Sequence, residues 1–176
     1  MAVHKIDGGP GGQNPHYPKK FVTLYSADAA TNAIAKGDWV SIDLGDSTNG
    51  IGMSVEQAVM GTATGDALCF GVATHALSVA GYLVVQTAGY YGHESGSSST
   101  GATAYAQGTG AAVDQGTVAA GAALAAGAVG DPGEAMTYAA GTHTAAGIIG
   151  VALEAEGANN YIATEAPVLI IDQGLF

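Results

Sequence analysis

The chain has 176 residues, with four lysines, no arginine and fifteen acids, and a formal net charge of −11. That balance excludes nucleic-acid binding by phosphate neutralisation, which needs cations to displace counterions. Charged residues make up 11% and apolar residues 48%, which excludes a disordered tail and leaves enough chain for one domain with its own core.

Residues 1–20 hold three of the five prolines and the run Gly8-Gly9-Pro10-Gly11-Gly12. No helical or strand period survives there, so this is an extended N-terminal arm. It carries His16, Tyr17, Lys19 and Lys20. Its lysines either guide it to an acidic surface or solubilise it. The first residues lack the apolar run of a signal peptide, and the longest small-apolar run, Val118–Val129, is too short for a membrane span. The expectation is a soluble product made in a cytoplasm.

Phe21–Tyr25 is rich in β-formers and reads as the first strand. Ala27–Ile34 reads as a turn. Lys36-Gly37-Asp38 turns into Trp39–Leu44, with Val40, Ile42 and Leu44 on one face and Trp39, Ser41 and Asp43 on the other. Trp39, the only tryptophan, is therefore either a contact to another chain or a lid on the core edge. Met53–Met60 fits a short helix through Val55, Val59 and Met60 or, by its β-branching, a strand, which is preferred; Ala67–Thr74 and Tyr82–Thr87 read as strands. Cys69, the only cysteine, sits between Leu68 and Phe70 and reads as a core thiol. Gly89–Gly110 is polar and of low complexity, a surface loop. Alanine favours helix over Val118–Val129, but the repeat described next places a strand over Ala122–Ala126 after a turn at Gly121. Val168–Ile171 is a final buried strand.

Gly71-Val72-Ala73 returns 79 residues later as Gly150-Val151-Ala152, with Ala76 echoed by Ala155 and Tyr82 by Tyr161. Thr23 and Tyr25 are echoed by Thr103 and Tyr105, and Gly37 by Gly121, where Ala123 replaces Trp39. The expected fold is mainly β: two pseudo-repeated, sandwich- or barrel-like units sharing one compact domain. The arm is 1–20, the first repeat 21–92, a Gly/Ser-rich linker 93–110 and the second repeat 111–176.

No catalytic constellation emerges. His4, His16, His75, His93 and His143 lack ligand spacing with one another or with Cys69. Ser95–Ser99 lacks the frame of a nucleophile elbow. Asp43, Asp46 and Asn49 fail the spacing of a calcium loop. The expectation is no enzyme, no cofactor and no metal.

The patterns Lys36-Gly37-Asp38-Trp39-Val40, Phe70-Gly71-Val72-Ala73 with a following Tyr-Leu-Val-Val-Gln strand, and Ile149–Ala155 resemble the head-decoration, or cement, proteins of tailed bacteriophages. The resemblance covers about residues 21–174 and departs from single-unit members in its two copies and its arm. It implies a β-rich virion protein on the capsid exterior that bridges major-capsid subunits, often as a homotrimer. His16, Tyr17, Lys19, Lys20, Phe21 and Trp39 are the expected interface residues. Neither nucleic acid nor membrane is an expected partner. The alternative is a tail-fibre or adhesin module that binds a host glycan or receptor.

Overall fold

The computed structural model describes residues 18–43, 54–58, 69–92, 110–114, 118–127, 132–140, 147–158 and 164–174. His16, Tyr17, the echoes Thr103, Tyr105 and Tyr161, and most of the expected linker lie outside these residues.

The described chain is mainly β, a curled antiparallel sheet that forms a half-barrel. Its strands are β1 (Lys20–Ser26), β2 (Trp39–Ile42), β3 (Val55–Gln57), β4 (Cys69–Ala73), β5 (Gly81–Tyr91), β6 (Ala111–Ala112), β7 (Ala123–Ala126), β8 (Ala135–Thr137), β9 (Gly150–Ala152), β10 (Glu165–Ala166) and β11 (Val168–Ile170). One sheet runs β3-β2-β4-β5-β11-β9-β7-β8, with β1 also on β5, and β10 pairs separately with β6. Asp28–Ala30 forms a 3-10 turn.

The expected strands lie where the β-branched and aromatic residues put them. The Ala-rich run forms β7, because β8 and β9 satisfy its backbone from both edges. The strand expected over Tyr82–Thr87 runs on to Tyr91. Gly89 sits at φ 86°, and β11 pairs with Gly89, Tyr90 and Tyr91, so the first three residues of the expected loop are strand.

Several pairings of the first half recur in the second. Trp39 pairs with Val72 and Val40 with Gly71, and Ala123 pairs with Val151 and Leu124 with Gly150. Val40, Ser41 and Ile42 face Gln57, Glu56 and Val55, while Leu124, Ala125 and Ala126 face Thr137, Met136 and Ala135. Gly37 N donates to Ala73 O, and Gly121 N to Ala152 O. Asp43 N donates to Ser54 O, and Gly127 N to Glu134 O. Thr74 N donates to Val84 O, and Leu153 N to Pro167 O. Parallel bridges Tyr25–Ser54 and Val113–Ala135 curl each end of the sheet.

Two apolar clusters fill the fold. One lies wholly within the first half: Leu24, Ala29, Ile34, Val40, Val55, Phe70, Ala73, Leu83 and Val85. The other joins both halves, with Trp39, Ala58, Cys69, Val72 and Tyr91 packed among Leu124, Ile149, Ala152, Val168 and Ile170. Burial of apolar surface is worth about 25 cal/mol per Å², so this shared cluster helps hold the halves together, beside the pairing of β5 with β11.

Candidate interaction surfaces

Trp39 leaves β2 on the face opposite Val40, as its alternation requires, but that face is covered. The side chain is 0% exposed and packs inside the shared cluster. The surface contact expected of Trp39 is therefore corrected: it is a contact between the two halves of one chain. Its main-chain N donates to Gly133 O at 2.7 Å, Gly133 N donates to Ala58 O and Ala58 N to Trp39 O, closing the curl of the sheet. Trp39 Nε1 has no hydrogen-bond partner among the described residues, so the side chain contributes by packing.

The start of β1 is tied down. The Lys19 ammonium stands 5.9 Å from the centre of the Tyr90 ring, within cation–π range. Lys20 forms an exposed ion pair with Asp172, beyond β11, and this pair holds the Asp172 carboxyl below its usual range. Phe21 is 55% exposed. It shares the outer face of the β1–β5 ribbon with Tyr25 and Tyr82, whose rings meet edge to face at 5.5 Å. Of the expected interface residues in the described chain, the structure thus gathers Lys19, Lys20 and Phe21 at one end of β1 and takes Trp39 into the core.

A half-buried acid lies on the edge strand β3, two residues beyond the Tyr25–Ser54 bridge to β1. Glu56 on β3 is half-buried, and desolvation, reinforced by the charges of Asp43 and Asp28, pushes its carboxyl up to about 7. Desolvation also raises Asp38, against the opposing hydrogen bonds it accepts from Gln57 Nε2 at 2.7 Å and Ala35 N at 2.8 Å. These bonds fix the turn that delivers Trp39. Burial likewise pushes the Tyr91 hydroxyl up, and it donates to Ala73 O at 3.0 Å. No group of three or more His, Cys, Asp or Glu residues fit to hold a metal occurs among the described residues. His75 lies exposed in a turn, and Glu154 is half-buried in another.

One surface escaped the sequence reading. Ala123, Val151 and Leu169 are cross-strand neighbours in a row over β7, β9 and β11, each partly exposed, with buried residues on both sides of Val151 and Leu169. Ile148, 40% exposed, and Ile171, 37% exposed, extend the apolar surface of this part of the sheet. A short strand with one outward residue has too little alternation to reveal which face meets solvent. No family model, curated protein or solved structure matches the chain.

Proposed function

We propose that the chain is a structural virion protein, built of two copies of one β unit, that binds the outside of a phage capsid and bridges major-capsid subunits. In this reading it acts as a homotrimer, and residues 1–20 form an arm reaching a neighbouring subunit. The observation that carries it is the recurrence of one pairing scheme. The Gly-Asp-Trp-Val and Gly-Val-Ala segments that resemble cement proteins are neighbouring strands in the first half, and their counterparts pair in the same register in the second. The same scheme sets Val85 of β5 beside Ala73 and Val168 of β11 beside Ala152, so the copy of β5 is β10 with β11, and the copy of β1 is β6.

A cement protein adds contacts only to the mature shell and stabilises it by mass action, and many weak contacts on a symmetric lattice reinforce one another. Heating expanded heads with and without the chain tests the proposal. DNA release shifts to higher temperature when the chain is present; an unchanged release temperature at saturating chain would refute it.

The exposed Phe21 and Tyr82, with the half-buried Tyr25 against Tyr82, favour a second reading, an adhesin module with a glycan platform. Glycan binding that is lost in Tyr82→Ala would support that reading instead.

A further inference from the structure

We propose that the outer row Ala123–Val151–Leu169, with Ile148, Ile171 and Tyr138, is the surface on which a second copy of this chain docks. The inference rests on the two-copy reading and deepens it by naming the face used for self-association. Under the register shared by the halves, those six positions correspond to Trp39, Val72, Gln86, Cys69, Ala88 and Ala58 of the first half. The first-half residues are all buried, none more than 7% exposed. Trp39, Ala58, Cys69 and Val72 reach that state by packing against the second half of the same chain. In the second half the same face is apolar yet open, and Ile148 and Ile171 are more than a third exposed.

The occupant follows from the chemistry of the face. Among the described residues, this face is covered at Trp39 and Val72 by the second half of the chain, the other unit in the two-copy reading. None of the six second-half positions carries a charge at neutral pH, and the nearby Asp172 is already paired with Lys20. A partner held by charge finds no anchor here. Another copy of an apolar β unit does, because burying exposed Ile, Leu and Val is favourable without directional partners. The net charge of −11 on each chain opposes the approach at long range, so added salt strengthens the association.

Sedimentation equilibrium of the full chain tests the surface. The wild type runs at a multiple of 17.2 kDa, more completely at high salt. The double variant Ile148→Glu with Ile171→Glu returns to 17.2 kDa with unchanged circular dichroism. Both positions are exposed, so folding tolerates the change. Ile171→Ser raises the dissociation constant at least tenfold. Val79→Glu, at an exposed apolar position of the first half, leaves the multimer intact. A wild type that stays at 17.2 kDa at every concentration, or a multimer that survives the double glutamate, would overturn the proposal. Amide exchange on the same samples scores the two-copy reading separately. Matched protection at Ala73 and Ala152 alongside a monomeric wild type would refute the docking surface and leave the repeat standing.

Discussion

The Trp39 indole lies against the backbone of Gly150: a methyl group added at Gly150 would stand 2.9 Å from Trp39 Cη2 and 3.0 Å from Leu169 O. A strand of the second half thus has a glycine where the first half's tryptophan arrives. The fit has a counterpart in volume. Leu24 faces Leu83 in the first half, whereas Ala111 faces Ala166 in the second. On the two-copy reading, Trp39 fills space that the alanines leave. Gly150→Ala overpacks the contact and lowers stability by about 1–3 kcal/mol in urea unfolding. Trp39→Ala removes the plug and costs about 3–5 kcal/mol, a large share of a typical total of about 5–15 kcal/mol. In a double-mutant cycle, Gly150→Ala costs less when Trp39 is Phe. Additive costs would contradict the direct contact.

Gly37 and Gly121 hold the same turn in the two halves, at φ 99° and 80°. A Cβ at Gly37 would meet Gly110 O at 2.6 Å, while one at Gly121 meets nothing within 4 Å. Gly121→Ala therefore costs only the left-handed conformation, about 1–2 kcal/mol. Gly37→Ala adds a backbone clash worth about 1–3 kcal/mol more. Thermal unfolding of both variants checks the order. Equal losses would show that the approach of Gly110 to the Gly37 turn does not matter.

Glu56 gives stability a pH dependence of defined sign. Its carboxyl titrates at about 7 in the fold against an ordinary value of 4.5. A raised carboxyl contributes its full share below the lower value and loses it as pH rises through the higher one. Between those limits the unfolded chain ionises first and stability falls. Glu56→Gln removes the loss, so the variant melts higher than wild type at pH 8 and alike at pH 4. Discounted for the half-exposed position, the gain at pH 8 is about 2–4 °C, the effect of about 1 kcal/mol in a chain of this size. A variant that melts lower at pH 8 would contradict the desolvation by burial and the repulsion by Asp43 and Asp28.

Lys20 separates folding from binding. Its ion pair with Asp172 is exposed and screened by salt, so Lys20→Met leaves the melting temperature nearly unchanged. A fall in head occupancy by this variant then reports a lost contact, measured by comparing bound chain per head with wild type. A large fall in melting temperature would instead make the pair structural.

Strand positions were readable wherever β-branched and aromatic residues cluster, as in Phe21–Tyr25 and Tyr82–Thr87. The face of Trp39 was readable too, because alternation sets it opposite Val40 and Ile42. Its cover was not, because the second-half residues that bury it begin 72 positions further along the chain (111 − 39) and alternation carries no long-range information. Gly89-Tyr90-Tyr91 has a loop's composition and forms a strand because β11 supplies its partner. The strand Ala111–Ala112 is two alanines, with no β-former to mark it in the sequence. The outer row on β7, β9 and β11 was hidden for a related reason: its strands are three or four residues long.

The most direct measurement of the capsid reading is co-sedimentation of the purified chain with expanded and unexpanded tailed-phage heads. The account predicts saturable binding at a fixed ratio to expanded heads and none to unexpanded ones. Chain that stays in the supernatant with both, or pellets equally with both, would contradict it.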